Sequence, residues 1–192
     1  MLNKHKLWSG LALVCLLAGV AIWWWSRTAP VPGELPRAAL ELRDGRMYPR
    51  DGGGPFTGIM FERASTGQRL TEVPLQDGII NGLARGWYDA GQLEVEEHFE
   101  NGVSEGVRKR WHANGKLKNE AAIVKGELHG PYTEWHDNGQ LAARLTMVHG
   151  RGEGLSEAWH PDGSKKAVVT LEAGKPVKQE FFPKQTGEVA GQ

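Results

Sequence analysis

The sequence predicts an all-β fold, an open twisted antiparallel meander of consecutive β-hairpins, preceded by one N-terminal transmembrane helix. Three observations lead there. Glycines recur at a step of 24 residues in three unbroken series: Gly58, Gly82, Gly106, Gly130 and Gly154; Gly67, Gly91, Gly115, Gly139 and Gly163; and Gly78, Gly102, Gly126, Gly150 and Gly174. Trp87, Trp111, Trp135 and Trp159 keep the same step, and Asn114-Gly115, Asn138-Gly139 and Asp162-Gly163 place a hairpin signal at one position of successive units. An uncharged run from Trp8 to Trp25 stands in front of all this. Self-similarity at a fixed period marks a repeat architecture, so function has to be sought on a repeat surface and not in a single pocket.

Taken from the N-terminus, residues 1–27 read as a membrane anchor. Lys4 and Lys6 precede the apolar run and Arg27 follows it. At ~1.5 Å per residue the run spans roughly 27 Å, close to a hydrocarbon core of ~30 Å. It ends in Trp23, Trp24 and Trp25, residues suited to the bilayer interface, where a signal peptide would carry small residues before a cleavage site. The excess of basic residues before the run places the N-terminus in the cytosol, leaving the repeats extracytoplasmic, in the periplasm. A lipid bilayer is thus the expected partner of this segment. Residues 28–38 contain Pro30, Pro32 and Pro36, which lack amide donors and fix φ, and form a semi-extended linker.

The repeat domain is expected over residues 39–182, with units starting near 58, 82, 106, 130 and 154. Before the first unit, Leu40 to Tyr48 reads as an extra hairpin around Asp44-Gly45. The first unit has Arg63 where later ones have tryptophan, as suits a capping repeat with no neighbour on one side. Within the unit starting at Gly106, a three-residue loop Ala113 to Gly115 with a bulge at the glycine pairs His112 with Lys116 and Trp111 with Leu117. Period-two alternation then places Val107, Trp111, Leu117, Ala121 and Ile123 on one side, with Trp135, Leu141, Ala143, Leu145 and Met147 in the next unit. Arg108, Arg110, His112, Lys116, Lys118 and Glu120 fall on the other, followed by Glu134, His136, Gln140 and Arg144. Lys178 replaces the next expected glycine, Gln179 to Phe182 supply a last strand, and residues 183–192 form a loose tail.

A helical reading fails, because glycine at this density costs helix stability and the apolar residues do not recur at three and four. The 192 residues carry equal numbers of acidic and basic groups, interspersed, so there is no global field to steer the chain onto nucleic acid. The lone cysteine, Cys15, lies in the apolar run and leaves the repeats without a disulfide or thiolate site.

His112, His136 and His160 form a column on the polar side, but equivalent positions in successive hairpins are ~9.5 Å apart, and zinc holds each nitrogen at ~2.0–2.1 Å. They read as solvated residues inherited with the repeat, and neither metal nor cofactor is expected. The glycines from Gly150 to Gly154 already belong to the repeat lattice and have no P-loop lysine beside them. Glu97 projects away from Glu94 and Glu96, and Ser65, Ser104, Ser156 and Ser164 lack a nucleophile elbow. No enzyme is implied. The tryptophan column Trp87, Trp111, Trp135 and Trp159 is the candidate for either core or interface, since a single-layer sheet cannot fully cover one apolar side.

These residues resemble the bacterial branch of the MORN repeat, the MORN-variant proteins often labelled YwqK-type antitoxins. The resemblance rests on a glycine, an aromatic before Asn-Gly or Asp-Gly, a leucine, a glutamate and a closing glycine, as in Trp111-His112-Ala113-Asn114-Gly115-Lys116-Leu117-Lys118-Asn119-Glu120 and Trp135-His136-Asp137-Asn138-Gly139-Gln140-Leu141. Pro55-Phe56-Thr57-Gly58, after Asp44 to Tyr48, matches the usual opening. The pattern departs at Arg144 and Val168, where the glutamate is missing, and at Lys165, where the leucine is missing. The resemblance implies an open sheet of hairpins, contacts with proteins or membranes, and no catalytic residues. Together with the anchor it implies a membrane-anchored scaffold for an as yet unknown protein partner in the cell envelope, or else an antitoxin that neutralises a toxin by direct binding.

Overall fold

The computed structural model describes residues 33–184. In chain order they form β1 (Gly33–Pro36), a 3-10 turn (Arg37–Ala39), β2 (Leu40–Arg43), β3 (Arg46–Pro49), β4 (Gly58–Arg63), β5 (Arg69–Gln76), β6 (Ile79–Ile80), β7 (Gly82–Trp87), β8 (Leu93–Glu100), β9 (Val103–Ser104), β10 (Gly106–Trp111), β11 (Leu117–Val124), β12 (Glu127–Trp135), β13 (Leu141–Val148), β14 (Arg151–Trp159), β15 (Lys165–Glu172) and β16 (Lys175–Phe181). Fourteen strands make one sheet in the order β1-β4-β5-β7-β8-β10-β11-β12-β13-β14-β15-β16, with β6 on β5 and β9 on β8; β2 and β3 pair separately. The expected meander is therefore present. The transmembrane helix is not: the only helical turn among the described residues spans Arg37–Ala39, and no helix there is long and apolar enough to cross a membrane. The fold class is corrected to all-β. The segment on which the helix was placed, including Trp23, Trp24 and Trp25, lies outside the described residues, as does the tail from residue 185 on.

Two kinds of turn alternate along the sheet, each explaining one glycine series. At Gly115 the amide donates to the His112 carbonyl and the His112 amide to that of Lys116, both at 2.8 Å, with Gly115 at φ +81°. This is the expected three-residue loop, and Trp111 does pair with Leu117. At the other end of the strands, Lys125 and Gly126 both hold positive φ, 51° and 82°, between the partners Val124 and Glu127. Two consecutive left-handed residues in a two-residue loop define a type I′ turn, whose twist matches that of the flanking strands.

The side assignment is where the register departs from simple alternation. Trp111 opposes Leu117, yet Arg110 opposes Asn119, so Lys118 is an extra residue in β11. The same shift occurs in the other four units, between Glu62 and Arg63, Gly86 and Trp87, Glu134 and Trp135, and Ala158 and Trp159. A bulge reverses the alternation beyond it. Ala121 and Ile123, expected beside Trp111, instead share a face with Arg108 and Arg110, and the Trp111 face carries Lys109 and Glu120. Most of the apolar surface thus lies opposite the tryptophans, where Leu75, Ala121, Ile123 and Ala167 are buried.

The one clustered core, Leu40, Met47 and Leu75 with Leu35, Phe56, Met60 and Ile80 packed against it, sits at the first end of that apolar face. The β2–β3 hairpin closes it: the Met47 amide donates to the Gly78 carbonyl at 2.9 Å, and the Gly78 amide to the Phe56 carbonyl at 2.8 Å. β1, part of the segment expected as a linker, joins the sheet beside β4, and Glu34 reaches Arg69 at 2.6 Å. β16, at the opposite edge, is exposed along its length.

Candidate functional site

The histidine column has a structural task. His112 Nε2 lies 2.9 Å from the Trp135 carbonyl oxygen, His136 Nε2 2.9 Å from that of Trp159, and His160 Nε2 3.4 Å from that of Phe182. Tyr88, at the equivalent position one unit earlier, donates its hydroxyl to the Trp111 carbonyl at 2.8 Å. A carbonyl only accepts, so Nε2 is the protonated nitrogen of each imidazole. These rings are half-buried and each joins its hairpin to the next, in place of the solvated residues expected. The sequence held a signal for this: Tyr88 stands at the lattice position that His112, His136 and His160 hold in later units, and both residue types carry a donor at the tip of a flat ring.

A second column works at the type I′ turns. The first left-handed residue of each turn presents an amide that a side chain of the preceding unit accepts: Asp77 by Thr57 Oγ1, Asn101 by Asn81 Oδ1, Lys125 by Glu105 Oε2 and Ala173 by Glu153 Oε2. The fourth unit departs from this. There His129 holds the acceptor position and His149 the turn position, their rings meet edge to face at 5.1 Å, and His149 Nδ1 lies 3.0 Å from Glu127 Oε2.

The tryptophan face is a mixed surface. Trp87, Trp111, Trp135 and Trp159 are all half-buried, neither core residues nor free ones. Beside them runs a stripe of ion pairs on the same face: Arg85–Glu96 at 2.8 Å, Lys109–Glu120 at 3.3 Å, and Arg144 and Lys165 both on Glu157 at 2.8 Å. Arg144 and Lys165 also sit 5.8 Å and 5.7 Å from the Trp159 ring centre, within range of cation–π attraction. Hydrogen bonds from Lys165 and Arg144 hold the Glu157 carboxyl below the usual carboxylate range. Beyond the ion pairs the strands carry an outer apolar column in which Leu83, Val107 and Leu155 are 37%, 49% and 58% exposed. Period-two alternation measured from each tryptophan places this column on the tryptophan face, and the bulges that moved Ala121 and Ile123 away do not affect it.

A shallow depression of about 550 Å³ lies between β12 and β15. Its floor is made by Ala143 and Ala158, paired across β13 and β14, where the preceding unit pairs Asn119 with Glu134. His112 and His136 line one side, Glu134 one end and Lys166 the other. Glu134 receives a 3.3 Å bond from the Tyr132 hydroxyl. Burial, aided by that carboxylate, pushes the Tyr132 phenol up.

A single-layer sheet built from near-identical hairpins, each bound to its neighbours by side-chain bonds to the backbone, belongs to the repeat scaffolds. Three consecutive segments, residues 80–101, 104–122 and 128–149, match the model of the MORN repeat variant family. No curated protein matches the chain.

Proposed function

We propose that the chain is a non-enzymatic scaffold that binds a protein partner through the tryptophan face of its MORN-variant sheet. The observation that carries this reading is the outer column of Leu83, Val107 and Leu155, apolar side chains exposed at one lattice position of the second, third and fifth units, with the exposed Pro131 at that position in the fourth. Side chains this exposed add little stability to their own fold, whereas with Pro131 between Val107 and Leu155 they follow one another at ~9.5 Å and form a strip that a partner's apolar face can cover. The ion pairs beside the strip balance except at Glu157, which Arg144 and Lys165 share, so that end carries one net positive charge and shape and apolar area set the choice of partner along the rest.

The test is proximity labelling on the full chain against a triple variant, Leu83→Glu, Val107→Glu and Leu155→Glu. The variant should fold as the wild type does, since these side chains are solvent-facing, and should lose the specific partner. A partner set identical in both would refute the assignment. A toxin among the proteins lost would narrow the role to neutralisation by direct binding.

A further inference from the structure

The depression between β12 and β15 offers a more specific recognition chemistry. Glu134 is half-buried, and among the described residues it has no cationic partner, only the Tyr132 hydroxyl. Lys166 is exposed, and among the described residues its ammonium has no anionic partner. Elsewhere on the sheet, acids and bases at comparable positions find one another, as Arg85 finds Glu96 and Arg108 approaches Glu97 at 3.6 Å. Between these two charges the floor is methyl groups, Ala143 and Ala158, flanked by His112 and His136, whose Nε2 atoms are already committed to carbonyls. The site thus presents the carboxylates Glu134 and Asp137 on its β12 side and the cation Lys166 on its β15 side, with Ala142, Ala143, Ala158, Trp135 and Trp159 completing the apolar lining.

Glu134 and Lys166 lie on strands three apart, so at ~4.8 Å per strand they stand about 14 Å from each other. An extended chain rises ~3.4 Å per residue, so four residues cover the same span, and residues i and i+4 project to the same side. We propose that the depression seats an extended segment of a partner protein that carries a basic and an acidic side chain four residues apart, the basic one on Glu134 and the acidic one on Lys166. Small apolar residues between them rest on Ala143 and Ala158. The proposal rests on the scaffold reading and gives it a second contact, separate from the Leu83, Val107 and Leu155 column.

Selection of a random peptide library displayed on phage against the full chain tests this. Wild-type protein should enrich peptides with opposite charges at i and i+4. Glu134→Lys leaves two cations at the ends of the floor and should enrich two acidic residues at that spacing; Lys166→Glu should enrich two basic ones. Glu134→Gln, which conserves size and the acceptor for Tyr132, guards against a folding defect and should abolish the basic preference alone. The same peptides emerging from all four proteins, or no charge spacing in any, would overturn the proposal. Peptides lost on the Leu83, Val107 and Leu155 triple variant but indifferent to Glu134 and Lys166 would overturn it while leaving the scaffold reading intact.

Discussion

Replacing His136 by alanine removes one stitch between the fourth and fifth hairpins, and its cost follows from the geometry. The Nε2 bond to the Trp159 carbonyl is 2.9 Å long. A neutral intramolecular bond is worth about 0.5–1.5 kcal/mol net, and a buried acceptor left bare costs about 1–3 kcal/mol. Trp159 and His136 are half-buried, so water reaches part of the way to the freed carbonyl and the penalty falls toward the lower end. We expect a loss of about 1–2 kcal/mol, or a urea midpoint lowered by about 0.5–1 M for a slope near 2 kcal/mol per molar. The informative control is His136→Tyr. Tyr88 makes the same bond at the same lattice position, so the tyrosine variant should recover most of the loss, whereas His136→Ala should not. Urea unfolding followed by tryptophan fluorescence reads both. If tyrosine falls as far as alanine, the stitch is not what the imidazole contributes.

Glycine substitutions should separate strain from collision. Gly115→Ala meets nothing within 4 Å and carries only the left-handed backbone penalty, about 1–2 kcal/mol, whereas a Cβ on Gly78 would stand 2.8 Å from the Met47 carbonyl oxygen and 2.9 Å from its amide nitrogen. Gly78→Ala should therefore cost clearly more and release the β2–β3 hairpin, visible as faster amide exchange at Met47. Trp111→Ala should lower stability by about 2 kcal/mol in a urea melt, less than for a fully buried aromatic because the ring is only half-buried. The depressed Glu157 carboxyl contributes stability that is complete above the ordinary glutamate range and is lost as pH falls through its lower folded value. Thermal melts from about pH 6 to about pH 3 should then show a shallower acid limb for Glu157→Gln than for the wild type.

The hairpins were legible in the sequence because glycine spacing encodes backbone geometry directly: Gly115 accepts a conformation that few residues accept, and its position fixed the partners of Trp111 and His112. The faces were not legible beyond the turn. Nothing in the spacing of Leu117, Lys118 and Asn119 marks Lys118 as a supernumerary residue, since a bulge arises from the pairing of two strands and not from one strand's composition. That single slip moved Ala121 and Ile123 to the opposite side, and with them most of the apolar surface. The residues before Gly115 show the same limit. Trp111 sits on the turn's own side of the bulge, so its partner Leu117 was legible, while the alternation past Lys118 was not. The depression was invisible for a related reason. It exists because Ala143 and Ala158 are small where Asn119 and Glu134 are not, a contrast that matters only once pairing across β13 and β14 brings the alanines together.

The turn caps bear on how the molecule comes apart. Every cap and every imidazole stitch joins a unit only to the one beside it, so the sheet behaves as a one-dimensional chain of couplings in which order spreads from neighbour to neighbour. Such a chain has a weakest link. Between the third and fourth units no side chain accepts the His149 amide among the described residues, and two histidine rings stand where Thr57, Asn81, Glu105 and Glu153 hold the other turns. Under tension, or on the way to unfolding, the array should part there first, as two shorter zippers and not as one.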